Sequence, residues 1–437
     1  MKQSRSFARA AQRQARGGIL AGLLAVLATT AIHASDWPGW RGPIRDGHAP
    51  AKSKPLESLS REPRVLWRLK IGAGLASPIV AGDKVFYLDN QTNKETAHAI
   101  DRETGRELWQ SPVDDVFSDS QYAAGPRCTP LVDGDRLYAQ SSKGLLRCLN
   151  VADGKQLWSL NYTQDFNAVF IGERGLAQGG HRHGFTASPW VDGSRLILSV
   201  GDTNGAGIVC ADKKSGKVLW KSQTDRVGNA APITALVGGA KPKQVIAFTV
   251  EGLIGLNLDN GNLLWRVPLT STYGRHVSTP TVVGNIVMVG SHMRGTIGVE
   301  LSPEKGAKTW NAPVKWESKE CTLNFASPVA AGDCLYGLGM TKNVFCLEAK
   351  TGKTLWSKTG LISTSAEKAH AGFVVVGKNI LMLSDTGEVI LFAADPQGYR
   401  ELGRAQVCGA NWCNPAYADG KLFVRDAREL MAVSLLP

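Results

Sequence analysis

Twelve polar or aromatic residues stand just ahead of short β-rich runs: Arg127, the cluster His181, Arg182 and His183, then Asn229, Arg275, His276, Asn324, Lys368, His370, Asn411 and Trp412. Brought to one place by the fold, they form a cationic, aromatic-flanked pocket suited to an anionic or polyhydroxylated ligand. Left apart, they are solvated loop residues that bond one another or water. His181, His183, His276 and His370 lack compact ligand spacing, so no metal site is assigned. Gly352-Lys353-Thr354 lacks the upstream Gly of a phosphate loop, and no helix follows Gly72-Ala73-Gly74. No nucleophile elbow or zinc-protease helix occurs either, and no catalytic residue is assigned.

What positions these residues is a repeat. Seven of the twelve tryptophans, Trp67, Trp109, Trp158, Trp220, Trp265, Trp310 and Trp356, end one recurring unit, mostly at intervals of 42 to 49 residues. Such a period is the mark of propeller blades, each a four-stranded meander that cannot bury both faces alone. Seven units open on a small residue and Pro, as in Ser77-Pro78, Thr129-Pro130 and Asn414-Pro415, because the first position of a strand needs no ladder donor. A Gly turn, two further β runs and a second Gly-containing hairpin follow. That hairpin is sharpest in Ala99-Ile100-Asp101-Arg102-Glu103-Thr104-Gly105-Arg106-Glu107-Leu108-Trp109, where Asp bonds its own turn and Gly takes the positive dihedral. In a seventh copy, around Gly398, Leu402 takes the place of Trp. After Asn414-Pro415 the chain has room for three strands, and the missing fourth is Val65-Leu66-Trp67-Arg68 near the other terminus. The expected fold is therefore an all-β, eight-bladed β-propeller with four antiparallel strands per blade, closed by the N-terminal strand completing the C-terminal blade.

Aligned on this repeat, Cys148, Cys210 and Cys346 all take the place of Ala99, which makes most of the eight cysteines buried small residues. Two disulfides are compatible with the spacing, Cys334 with Cys346 across neighbouring strands and Cys408 with Cys413 around a loop.

From Arg64 to Pro437 the repeat resembles the pyrroloquinoline-quinone-like propeller family, and Trp37-Pro38-Gly39-Trp40-Arg41-Gly42-Pro43-Ile44-Arg45-Asp46-Gly47 resembles the opening of exported members found in planctomycetes. The resemblance implies one of two roles: a dehydrogenase holding the quinone with calcium, or a non-enzymatic scaffold of the outer-membrane protein assembly machinery. Family dehydrogenases carry adjacent cysteines over the quinone, and this sequence has no adjacent Cys pair and no haem-attachment motif. The expected function is thus a non-catalytic scaffold or envelope ligand-binding module, with no cofactor. A quinone dehydrogenase and a polysaccharide or small-molecule sensor at the channel mouth are the alternatives.

Residues 1–34, with Lys2, Arg5, Arg9, Arg13 and Arg16 ahead of an apolar run, read as a secretory signal peptide, so a periplasmic or secreted location is expected. An uncleaved anchor is the rival reading, but the run Ile19–Ala28 is short for a bilayer. Residues 35–63 read as an extended arm across the propeller surface, and 64–437 as the propeller. The net charge of +12 includes the five basic residues of the leader, and the remaining +7 forms no basic stripe. Nucleic acid is therefore excluded as partner, leaving an envelope protein or an acidic or polyhydroxylated ligand, bound by a monomer with no membrane span.

Overall fold

Short buried strands, seven of them opened by Pro, line the axis of the molecule, and each is followed outward by three antiparallel partners. The computed structural model describes residues 36–119, 122–170, 183–202, 204–362 and 369–436; the expected signal peptide and the expected mouth residues His181, Arg182 and Lys368 lie outside them. Eight four-stranded sheets result. The inner strands are Ile79–Ala81, Leu131–Asp133, Trp190–Asp192, Ile233–Ala235, Thr281–Val283, Val329–Ala331, Ala371–Val376 and Ala416–Ala418, in blades 1 to 8. Blade 8 is completed by Arg64–Lys70, which pairs antiparallel with Glu429–Ser434 and closes the ring.

Register explains the composition of each blade. A large residue, a small one and Trp lie side by side across the second, third and fourth strands: Phe86, Ala99 and Trp109 in blade 1, then Tyr138, Cys148 and Trp158, and Tyr336, Cys346 and Trp356 in blades 2 and 6. The small slot is forced, since a Cβ on Gly255 or Gly298 would stand 2.1 Å from the ring of Trp265 or Trp316. Five Trp side chains then bond the next blade, whereas Trp265 donates to Gln244 Oε1 of its own blade. Trp67, Trp109, Trp220, Trp316 and Trp356 donate Nε1–H to Arg102, Val151, Leu258, Ala349 and Asp395 carbonyls. All eight cysteines are buried free thiols in this structure. Burial holds the Cys148, Cys210 and Cys346 thiols up at about 12, as befits packing groups. Cys334 hydrogen-bonds the Cys346 thiol, whereas Cys408 and Cys413 direct their sulfurs to Gly387 and Leu75 carbonyls.

Two assignments change. Trp310 does not close blade 5: the fourth strand is Val314–Ser318, and Trp316 faces the small slot at Gly298. An inserted hairpin, Ser302–Pro303 with Trp310–Asn311, supplied the misleading Trp. In blade 7 the Trp position falls on Gly403, not Leu402, because Gly403 is the residue opposite Leu391. Large and small have exchanged places there, and Leu59 of the arm packs 3.1 Å from where a Cβ on Gly403 would be.

The arm does not run along the outer surface; it crosses the axis. Trp37 pairs with Val80 of blade 1, while Trp40 Nε1 donates to Thr279 Oγ1 (2.9 Å) of blade 5, on the opposite side of the ring. Arg45 is fully buried and donates to the carbonyls of Ser188 (2.9 Å) and Pro189 in blade 3 and Pro232 (2.7 Å) in blade 4. Arg41 reaches Pro328 in blade 6, and His48 pairs with Val375 in blade 7. Desolvation pulls Arg45 down to about 9 and Arg41 to about 10, so both stay charged at neutral pH. Inner strands offer carbonyls with no further strand to bond, and these guanidinium groups satisfy them.

Two comparisons are expected to separate by urea unfolding. Gly306→Ala, at φ +79 in open space, should cost ~1–2 kcal/mol. Gly352→Ala, at φ +74 with Trp316 2.5 Å from the new Cβ, should cost a further ~1–3 kcal/mol. Arg45→Met should destabilise by at least ~3 kcal/mol, while Ile44→Ala, in the same loop but exposed, should change stability by less than ~0.5 kcal/mol.

Candidate functional site

One residue per blade surrounds a cavity at the mouth where the chain enters the inner strands. It is the residue three places before the strand-opening Pro: Leu75, Arg127, Thr186, Asn229, Val277, Phe325 and Trp412, with His370 three before Phe373, which takes the Pro place in blade 7. Trp40 comes from the arm inside the channel and forms the floor, so the mouth is a blind cup of about 170 Å³. Thr129, Ser188, Ala231, Tyr122 and His183 complete the lining.

The ring is two-sided. Blades 2 to 4 give a polar arc of Arg127, Thr186 and Asn229, and blades 5 to 8 with blade 1 give Val277, Phe325, His370, Trp412 and Leu75. In the polar arc, Asp119 accepts from Arg127 Nη1 (2.6 Å) and His183 Nδ1 (3.0 Å), and its side chain is only 1% exposed. Arg127 also donates to the His183 carbonyl (2.8 Å) and lies over the rings of Phe117 and Tyr122. Thr186 Oγ1 donates to Asn229 Oδ1 (2.9 Å). On the other arc, Trp412 meets Tyr122 and Phe325 edge-on at 5.9 and 5.2 Å and stacks with His370 at 5.7 Å.

Of the residues expected at the mouth, Arg127, His183, Asn229, His370 and Trp412 line it. His276, Asn324 and Asn411 stand one place earlier, four before Pro, and turn into the blades. His276 stacks on Phe248 at 4.1 Å with Nδ1 on the Thr249 carbonyl, and Asn411 donates to the Ser384 carbonyl (3.0 Å). Arg275 lies at the rim between Tyr273 and Phe325. Trp40, Asp119, Tyr122 and Phe325 were not anticipated. The three-before-Pro spacing would have found Phe325, and nothing local marks Trp40.

The sequence profile of the family described as "Outer membrane protein assembly factor BamB" matches residues 56–181 and 163–397. The chain belongs to this family. BamB of Shewanella oneidensis is 22% identical over 399 residues, covering 86% of this chain and 89% of the relative. BamB of Yersinia pestis is 21% identical over 338 residues, covering 72% and 76%. A Pseudomonas polyvinylalcohol dehydrogenase is 24% identical over 323 residues, covering 60% of this chain and 50% of the dehydrogenase. Among solved structures, BamB from Moraxella catarrhalis superposes with a TM-score of 0.57 at 17% identity, covering 85% of this chain and 97% of that one. A quinohemoprotein alcohol dehydrogenase from Pseudomonas putida HK5 gives 0.57 at 12% identity, covering 92% and 80%. These two superpositions show a shared fold. The matched span begins at residue 56, beyond the segment that floors the cup.

Burial sets the charge states around the cup. Desolvation brings His370 down to about 4, partly offset by its bond to the Cys413 backbone, so it is neutral at pH 7. Desolvation raises Glu95 to about 7 although Ser142 donates to it. For Glu95 the folded-state value lies above the ordinary 4.5, so its contribution is complete below pH 4.5 and is lost as pH rises through 7. Glu95→Gln should therefore raise stability by ~2–3 kcal/mol at pH 8 and leave it nearly unchanged at pH 4, by urea unfolding at the two pH values.

Proposed function

We propose that this chain is an extracytoplasmic scaffold propeller that presents its mouth face to a component of outer-membrane protein assembly and performs no chemistry of its own. The observation that carries this reading is the character of that face. Hairpins between second and third strands share it with the connections between blades, and there Val169, Tyr273 and Met293 are 61%, 53% and 68% exposed. Tyr273 and Met293 are held at φ 69 and 59, a backbone region costly for bulky residues. Large apolar side chains held outward on strained backbone are a feature of contact surfaces. The family's description as an assembly factor supports the choice of partner.

The dehydrogenase relatives raise the alternative of a quinone with calcium, and the residues at the mouth do not fit it. Calcium takes about 6–8 oxygen ligands, largely carboxylates, yet no carboxylate is among the described residues that line the cup. One face of Trp412 is stacked by His370, and Trp40 closes the floor.

Photo-crosslinkers at Tyr273 and Met293 should give a defined adduct with an outer-membrane assembly component in the native envelope, and one at Lys308 on the opposite face should not. The purified chain given quinone, calcium and alcohol should leave an artificial electron acceptor oxidised. Reduction of the acceptor, or equal adducts from both faces, would contradict the proposal.

A further inference from the structure

Apolar side chains keep uncovered surface inside the cup. Trp40, Leu75, Val277, Phe325 and Trp412 line it and are only half-buried, whereas His276, Asn324 and Asn411, one place earlier in their blades, are buried. Water against such a wall is released when an apolar group enters. We infer that the cup is a binding site for one uncharged aromatic ring, supplied as a free molecule or as the side chain of a Phe or Tyr. This goes beyond the scaffold reading, which needs only the rim.

The charged groups of the wall are turned away from a ligand, which makes the ring uncharged. Arg127 spends Nη1 on Asp119 (2.6 Å) and the His183 carbonyl (2.8 Å), and its Nε and Nη2 are buried. His183 is paired with the same buried Asp119. His370 Nε2 is buried as well, and desolvation keeps that imidazole neutral. No carboxylate lines the cup among the described residues, and Thr186 Oγ1 is spent on Asn229 Oδ1. An anion would give up its hydration to cations that are buried or already paired, and a cation would meet no carboxylate; both are costly.

Size and the rings of the wall make it aromatic. An apolar cavity of about 150 Å³ holds benzene, and the cup measures about 170 Å³. Trp40 closes the floor, so a ring enters from the mouth and stops there. Around it aromatic side chains already meet edge to face: Trp412 stands 5.2 Å from Phe325 at 72° and 5.9 Å from Tyr122 at 70°. Rings at such separations gain from their quadrupoles beyond the area they bury, and a saturated ring of the same size forgoes that gain. The approach is aromatic too, since Arg275 at the rim lies against both the exposed Tyr273 and Phe325.

Saturation-transfer NMR and calorimetry on the full chain, with benzyl alcohol, cyclohexylmethanol, benzoate and N-acetylphenylalaninamide, test this. Benzyl alcohol should bind roughly threefold or more tightly than cyclohexylmethanol, which has the same outline without the π-system, and roughly tenfold or more tightly than benzoate. Binding of N-acetylphenylalaninamide at least as tight as that of benzyl alcohol assigns a polypeptide side chain as the source, and weaker binding assigns a free molecule; either accords with the site. Val277→Trp fills the cup and should abolish binding while the melting temperature stays near that of the parent. Should that variant unfold, Thr186→Trp fills the cup from the polar arc and should have the same effect. No binding of benzyl alcohol, equal or tighter binding of cyclohexylmethanol or benzoate, or binding that survives a folded cup-filling variant would overturn the inference. Crosslinking at Tyr273 and Met293 would be untouched by that failure, which separates it from failure of the scaffold reading.

Discussion

Arg45 is the group on which the arrangement at the axis turns. A ring of blades ends inward on strands whose carbonyls have no neighbour, and around an eight-membered ring the gap is too wide for those strands to satisfy one another. One guanidinium placed at the axis bonds carbonyls of two blades at once, and the segment that carries it touches blades on every side. That converts an open tube into a closed cup. It also costs something: Arg41 and Arg45 both sit at positive φ, and two cations are stripped of water. The contacts across the ring offset those terms only if the arm is packed as firmly as the blades.

From that seal the rest of the site follows. With Trp40 as floor, the residue three before each Pro becomes wall, and the wall inherits whatever each blade's sequence puts there. The repeat keeps backbone geometry constant while leaving this position free to vary, which is how a uniform ring acquires a polar side and an aromatic side. The same logic separates neighbours: His276 and Asn411, one place earlier, are spent on bonds between neighbouring blades and contribute rigidity rather than recognition.

Much of this was legible in the sequence, because period, Pro and Gly report local geometry. Blade count and closure came from Trp67 having no blade of its own, and the structure places it on Ala432 of the last strand. The errors had local causes. Trp310 was mistaken for Trp316 since an inserted hairpin carries its own Trp at nearly the right interval. Leu402 has the residue type expected at the Trp position, but register puts Gly403 there, and in that blade the small and large positions are exchanged. Site residues were picked for polarity, which gathered both wall and buried positions. The crossing of the arm was not legible at all, because it depends on which blades face one another across the ring.

The central claim is that the arm is part of the fold and seals the channel. Amide hydrogen exchange on the full chain measures this directly at Trp37, Ala49, Val80 and Val375, whose N–H groups bridge arm and blades. Protection of all four comparable to that of the inner strands is the predicted result. Fast exchange at Trp37 and Ala49, with Val80 and Val375 losing protection while the blades keep theirs, would contradict it.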